Sequence, residues 1–346
     1  MNIIVLGAGA IGCYVAGRLA AAGERITLVG RPRTVEPIAL SGLTVTDLQG
    51  FKAHVAADLS AKHLSIASNL KLATQNLLHS QVANVQPTVV LLCVKGGATV
   101  DAAQEITDCC PAGTRIVSLQ NGVDNVTRIK TAAPQMQAFA GMVPYNVVMK
   151  TASHVHRTSM GKIYIEQSAI TTELVAKFNA AGLRATTSND MRAVQWGKLL
   201  LNVNNPVNAL SDLPLREQLL NRDFRYVFAT LQLEALAALK AANIVPVQLA
   251  AVKPHVMPYL LKLPNFIFTR IAKKMLRMDA SARSSMWDDI QLGRITEVED
   301  ICGAIVRLAK QAGTQAPCNA AMCQLIAKHT KGHRFTGQEL RLALKI

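Results

Sequence analysis

The stretch Trp196-Gly-Lys-Leu-Leu-Leu-Asn-Val-Asn-Asn-Pro-Val-Asn-Ala-Leu210 sets polar groups at intervals into an apolar run. At about 100° per residue, Lys198, Asn202 and Asn205 fall within roughly 60° of one another on a helix, at i, i+4 and i+7. One face then offers an ammonium and two amides. A lysine among Trp196 and leucines must be paired or give up part of its basicity, which is the property wanted of a general acid working near neutral pH. The bland alternative is a helix whose lysine and asparagines meet solvent or cap neighbours.

A second constellation runs from Ser284-Ser285-Met286 to Thr296-Glu297-Val-Glu299. The Thr296 to Glu299 spacing predicts a capping box and a helix start after Gly293. Glu297 then lies in a first turn, where the helix dipole favours a carboxylate. The sequence by itself does not choose between that structural role and a chemical one. Seven cysteines, with no C-x-x-C pair and no metal-like His/Cys spacing, read as reduced thiols, and no metal site is expected. Cys109-Cys110 reads as incidental.

These groups need a scaffold, and it starts at the N-terminus. Ile3–Leu6 reads as a strand buried on both faces that ends in Gly7-x-Gly9-x-x-Gly12 and runs into an alanine-rich helix over 10–22. Gly7 serves the turn, Gly9 the close approach of a pyrophosphate, and Gly12 the packing of helix on strand, so the backbone of Gly7, Gly9, Ala10, Ile11 and Gly12 is the candidate dinucleotide cradle. A second strand, Arg25–Val29, completes the βαβ unit. Where an acidic residue would accept from a ribose 2′-hydroxyl, the chain reads Gly30-Arg31-Pro32-Arg33. A guanidinium there suits a 2′-phosphate and indicates NADP; the other reading of Arg31 is a solvated loop residue.

Further along, Leu43–Val55 reads as a hairpin about Gly50, Thr88–Lys95 and Arg115–Ser118 as buried strands, and 98–108 as a helix. Lys95 and Asn121 follow strand ends, where ligands of open parallel sheets lie. Segments 136–149 and 153–166 predict strands added to the sheet edge, and 182–187 a last strand. Residues 59–86 receive no role. From Asn189 helical patterns dominate, over 190–209, 214–242 and 281–312, with prolines marking breaks. The expected fold class is α/β, a Rossmann-type doubly wound sheet over 1–188 followed by an all-helical domain over 189–346.

The net charge of +15 is concentrated late, with 16 basic and 7 acidic residues in 240–346. Much of it lies in 262–277, which reads either as a helix with a buried apolar stripe and solvated basic face or as a contact for a membrane surface or acidic partner. A positive field also steers anionic substrates. No nucleic-acid partner is expected. No run of 18 apolar residues predicts a membrane span, and the N-terminus lacks the charged lead of a signal peptide, so cytoplasm is the expected location.

On the Gly7-x-Gly9-x-x-Gly12 turn, Lys95, Gln120-Asn121-Gly122, Lys198-x-x-x-Asn202 with Asn205-Pro206, and Ser284-Ser285-Met286 followed by Thr296-Glu297, the chain resembles the ketopantoate reductase family over nearly its whole length. The resemblance implies an NADP-binding Rossmann domain, a helical C-terminal domain, and reduction of 2-dehydropantoate by NADPH in pantothenate biosynthesis. It implies Lys198 as proton donor and Glu297 as the carboxylate that bonds the product hydroxyl. Asn202 and Asn205 become substrate-orienting amides and Ser285 a ligand of the substrate carboxylate. Asn121, Lys95 and Arg31 become cofactor contacts. The family more often spaces its second asparagine one residue further from the lysine, so Asn204 and Asn205 are both candidates, with helix geometry favouring Asn205. A further substrate-side asparagine has no clear match near Leu215. A different branched or bulky 2-oxo acid is the alternative substrate, a non-catalytic NADP-sensing or anionic-surface-binding protein the alternative class, and a homo-oligomer is compatible with both.

Overall fold

The computed structural model describes residues 1–57, 63–79, 87–273, 275–277, 279 and 281–346. The chain divides into two compact units, Met1–Met191 and Arg192–Ile346.

In the first unit the chain runs β1 (Asn2–Leu6), α1 (Ala10–Ala21), β2 (Ile26–Val29), α2 (Pro32–Ser41), β3 (Leu43–Asp47), β4 (Lys52–Val55), β5 (Leu64–Ala67), α3 (Leu70–His79) and β6 (Thr88–Leu92). It continues through α4 (Thr99–Cys109), β7 (Arg115–Ser118), α5 (Asn125–Ala132), β8 (Gln137–Met142), β9 (Val147–Thr151), β10 (His154–Arg157), β11 (Ile163–Glu166), α6 (Ala169–Ala180) and β12 (Ala185–Ser188). Among the described residues these strands form an eight-stranded sheet, ordered β12-β11-β8-β7-β6-β1-β2-β5, and a four-stranded sheet, ordered β4-β3-β10-β9. From β5 to β8 the large sheet is parallel; β11 then runs antiparallel to β8, and β12 parallel to β11.

The two-residue period of a strand explains why β1 is apolar throughout. Ile3 and Val5 enter a core with Tyr14, Leu19, Leu174 and Phe178 on one face, while Ile4 and Leu6 enter a second core with Leu70, Ala103 and Ile129 on the other. Helix α1 is packed between the large sheet and the small one.

Several expectations need correction. Residues 136–166 do not all extend the sheet edge: β9 and β10 leave it and join the 43–55 hairpin, β10 pairing parallel with β3. Within 59–86 the described part contains β5, the strand beside β2, and α3, whereas 58–62 and 80–86 lie outside the described residues. Residues 32–41, for which the sequence predicts no element, form α2, with Pro32 in the first turn where a missing N–H costs nothing.

The small sheet is fastened to α1 by charge. The buried Asp47 carboxylate accepts from Arg18 and Arg157, each at 3.0 Å, and from the amides of Gln49 and Phe51 at 2.8 and 3.1 Å. Arg18 also donates to the Ala181 carbonyl and stacks on Phe51. Burial by itself would raise the Asp47 carboxyl, but the two amides and two guanidinium groups hold it below its usual value.

The second unit is helical: α7 (Met191–Asn202), α8 (Asn204–Ser211), α9 (Leu215–Leu220), α10 (Arg222–Ala241), α11 (Met257–Lys262), α12 (Asn265–Ile271), α13 (Ser285–Gln291), a π-helical turn over Glu299–Gly303, α14 (Ala304–Gln311), α15 (Pro317–Lys328) and α16 (Gly337–Ala343). Helix α10 is the spine, touching α8, α9, α11, α14, α15 and α16. Its polar residues tie the others to it. Glu234 caps α15 by accepting from the amides of Cys318 and Asn319 at 2.8 and 2.9 Å, and the buried Arg225 donates to the carbonyls of Leu219, Leu261 and Leu263 while stacking on Phe268.

Asp47→Asn leaves two buried guanidinium groups without their carboxylate and is expected to cost about 3 to 5 kcal/mol. Because the folded carboxyl is depressed, its contribution is full above the ordinary aspartate value near pH ~4 and is lost as pH falls through the folded value. Thermal unfolding across that range should show a steeper acid loss in the parent than in the Asp47→Asn variant; parallel curves would remove Asp47 from this role.

Candidate active site

In the first unit the four predicted cofactor positions follow four adjacent parallel strands. Gly7 follows β1, Arg31 follows β2, Lys95 follows β6 and Asn121 follows β7, all at carboxyl ends, and the strand order reverses between β1 and β6. The Gly7 amide donates to the Val29 carbonyl and the Cys93 amide to that of Leu6, which carries the ladder past the strand ends. Gly7 has φ +116°, and a Cβ on it would stand 2.7 Å from the Cys93 carbonyl carbon. A Cβ on Gly12 would overlap the Gly7 carbonyl oxygen. A Cβ on Gly9 would meet nothing within 4 Å. Ala10 and Ile11, half-buried, open α1, which has no side-chain cap and no acid in its first turn.

Arg31 is exposed at the start of α2, where its carbonyl accepts from Thr34. Lys95 is exposed and precedes a single 3₁₀ turn over Gly96–Ala98, and Asn121 is half-buried. A buried amide and hydroxyl frame sets both loops. Gln120 donates to the Val94 carbonyl and to Thr99, accepts from Ser118, and Thr99 donates to Asn125, which donates to the Asn121 carbonyl. Sequence reading missed Thr99 and Asn125; the polar run Gln120–Asn125 at a strand end was the available signal.

In the second unit α7 presents Lys198 half-buried beside the buried Trp196, Leu199 and Leu200. Burial pushes its ammonium down to about 8, and the Glu297 carboxylate opposes that fall. Residues 99 positions apart are thus in electrostatic contact. One residue before the lysine, a Cβ on Gly197 would overlap the Val247 carbonyl oxygen, and the Val247 amide donates to Ala193 at 3.0 Å.

The single helix expected over 190–209 is two helices, broken at Val203. Pro206 brings no N–H to the carbonyl of Asn202, four residues earlier, and its ring crowds that carbonyl. The angular argument therefore holds for Lys198 and Asn202 within α7, while Asn205 belongs to α8. The break leaves the Leu200 carbonyl to accept from Gln232 of α10 at 2.8 Å. Asn204 is turned into the unit, where it exchanges two hydrogen bonds with Gln218 at 3.0 and 2.9 Å, whereas Asn202 and Asn205 are half-buried. The Asn204 amide is thus spent on structure.

Ser284 caps α13, accepting from the Trp287 amide, and donates to the Asn205 carbonyl at 3.1 Å; Ser285 beside it is exposed. The fully buried Asn208 completes this link. Its Oδ1 accepts from the Ser284 amide at 2.8 Å and its Nδ2 donates to the Leu213 carbonyl at 2.9 Å. Asn208 went unremarked in the sequence, although it lies one turn after Asn205 in the same run.

The capping box expected at Thr296 and Glu299 does not form. The helix there opens with the π-helical turn, flanked by Val298 with no side-chain cap, and Glu299 faces Arg307 at 3.9 Å. Glu297 is half-buried just before that turn. Among the described residues no cluster of three or more His, Cys, Asp or Glu could hold a metal ion.

Asn208→Ala should unpair the Ser284 amide and the Leu213 carbonyl, lowering stability by about 2 to 4 kcal/mol. Loosening α13 should also change the fluorescence of Trp287, whose Nε1 donates to Asp212 at 2.6 Å. An unchanged melting temperature and emission spectrum would show that Asn208 does not hold α13.

Comparison with known proteins matches the same two segments. The family model for ketopantoate reductase PanE/ApbA matches residues 3–169, and that for its C-terminal part matches residues 190–330. A 2-dehydropantoate 2-reductase of Pyrococcus horikoshii is 27% identical over 339 residues, covering 96% of this chain and 99% of the relative. A crystal structure of a ketopantoate reductase from Ralstonia eutropha superposes with a TM-score of 0.76 at 27% identity, covering 94% of this chain and 97% of that one. D-mandelate dehydrogenase, solved with NADH and anilino(oxo)acetate, shares the fold with a TM-score of 0.73 at 19% identity, covering 94% and 97%. With both family models matched across the two units just described, the chain belongs to the ketopantoate reductase family of nicotinamide-dinucleotide-dependent oxidoreductases.

Proposed function

We propose that the protein reduces 2-dehydropantoate to pantoate with NADPH, as a step of pantothenate biosynthesis, residues 1–188 holding the dinucleotide and 189–346 the substrate. The observation that carries this reading is the desolvated Lys198 ammonium, brought to about 8, in electrostatic contact with Glu297. The residues at the β1 turn suit a dinucleotide: the open space at Gly9 and the uncapped, acid-free start of α1 leave room and backbone N–H groups for a pyrophosphate. Gly7, Gly9, Ala10, Ile11 and Gly12 would hold it there, with Lys95 and Asn121 on the β6 and β7 side and Arg31 on the β2 side, where its guanidinium suits a 2′-phosphate. The nicotinamide would supply the hydride to the 2-oxo carbon.

The protein's own part is charge and proton control. Negative charge grows on the 2-oxo oxygen, and the Lys198 ammonium meets that charge and delivers its proton. A lysine near 8 gives up a proton far more readily than one at its ordinary value, yet is still largely charged at neutral pH. Glu297 keeps it charged and accepts from the new hydroxyl. Asn202 and Asn205 orient the substrate, and Ser285 binds its carboxylate.

The test is the loss of NADPH absorbance with 2-dehydropantoate, run beside NADH and a panel of other bulky 2-oxo acids. Turnover confined to another acid would move the substrate assignment, and turnover of none would end the catalytic reading. Lys198→Ala should lower kcat about 10²- to 10⁴-fold with dinucleotide binding kept. In the parent the rate should fall as pH rises through about 8, where Lys198 loses its proton. Since Glu297 raises the lysine, Glu297→Gln should move that fall to lower pH; an unmoved limb would separate the two residues. Arg31→Ala should weaken NADPH about tenfold or more and leave NADH little changed, and an equal effect on both would remove Arg31 from the 2′-phosphate.

A further inference from the structure

Between Glu234 and Asp279 the chain holds 44 residues without one carboxylate side chain and with seven Lys or Arg. Within it, the described residues of 262–277 are helical only at Lys262, which ends α11, and over α12, where Phe268 and the following Ala272 are buried and Arg270 is exposed, and part of the apolar surface stays outside. Helix α12 buries Phe268, but Phe266 is 75% exposed and Ile271 59%, and on α11 Tyr259 is 65% exposed. On α12 and just beyond it, Phe266, Arg270 and Lys273 recur at i, i+4 and i+7, all exposed, and Ile271 is exposed about 100° round the helix from Arg270.

The apolar side chains are held outward by the fold. Buried Arg225 grips the carbonyls of Leu261 and Leu263 and the Asn265 side chain and lies 4.0 Å over the Phe268 ring, fixing the ends of α11 and α12 from below. Lys262 lies over Tyr226, as does Arg341 from the other side of the sequence, and Arg341 already takes the acid Asp223 at 2.8 Å. Arg222 adds another cation by donating to the Lys262 carbonyl.

We propose that the exposed surface of residues 259–273, which carries Tyr259, Phe266, Arg270, Ile271 and Lys273, is a docking surface for an anionic lipid bilayer. Interleaved cations and exposed aromatic or aliphatic side chains suit the headgroup layer, where the cations meet lipid phosphates and the apolar groups enter the acyl boundary. A second copy carries the same net charge of +15 and the same carboxylate-free stretch, so an anionic surface is the better complement. The binding is peripheral, since among the described residues no helix is long and apolar enough to cross a membrane.

The test is co-sedimentation of the full chain with vesicles of phosphatidylcholine alone and of equimolar phosphatidylcholine and phosphatidylglycerol, at low and high salt. Binding is expected only to the anionic vesicles and should weaken with salt. Arg270→Gln with Lys273→Gln should weaken it about 25-fold, and Phe266→Ser with Ile271→Ser about tenfold, with far-UV circular dichroism unchanged. Absence of anionic-vesicle binding, equal binding to neutral vesicles, or equal binding by both variants would overturn the proposal. So would polyuridylate binding indifferent to the Phe266 and Ile271 changes, or a dimer that those changes dissolve, which would make the partner a nucleic acid or a second copy.

Discussion

An ammonium withdrawn from water is the constraint around which the second unit is arranged. Removing a charge from solvent costs several kcal/mol even after the protein relaxes, so the fold must return part of that through an opposing charge. Glu297 supplies it from far along the chain, at the entrance to a π-helical turn. The lysine's own helix is pinned on both sides of that contact. Val247 presses its backbone on Gly197, and Pro206 ends the helix one turn past the lysine, a break that α10 accepts by turning Gln232 to the Leu200 carbonyl. Each of these is a backbone fact before it is a chemical one.

The first unit solves a different problem, which is to converge backbone amides without side chains in the way. Four neighbouring strands stop at one level, and the glycines remove Cβ atoms where helix and strand would collide. The loops beyond β6 and β7 are then set by the Gln120, Thr99 and Asn125 network, in which every link is a neutral hydrogen bond inside the unit. Neutral links hold geometry without adding field, and charge at this end of the sheet is carried by the exposed Arg31 and Lys95 and by Arg128, which donates to the Gly96 carbonyl at 3.3 Å.

Much of this was legible from residue order because it rests on local rules. Alternating cores around β1 follow from a two-residue period, and the Gly7 to Gly12 spacing encodes a turn whose sterics involve only adjacent elements. What was not legible depended on distant partners. Strands β9 and β10 alternate like edge strands, and nothing local says that Asp47 waits for Arg157 in another sheet strand far along the chain. Helical periodicity ran through Val203 because the neighbouring leucines and asparagines fit a helix on either side of it. Pro206 was visible as a breaker, but the position of the break, a turn upstream, follows from the carbonyl it fails to serve. Helix geometry favours Asn205 over Asn204, but only the distant Gln218 shows where the Asn204 amide goes.

The salt-bridged knot at Asp47 also bears on how the chain is made. Arg18 and Asp47 are synthesised early, but the second guanidinium arrives 110 residues later, together with the strand that pairs with β3. Until then the small sheet is a lone hairpin, marginal in water, and β3 shows an unpaired edge. A nascent chain therefore spends the synthesis of roughly a third of its length with α1 covered on one side only. At bacterial or eukaryotic elongation rates of about 5 to 20 residues per second, that interval lasts several seconds or more. Through that interval the edge of β3 that later pairs with β10 is open to pairing with a wrong strand.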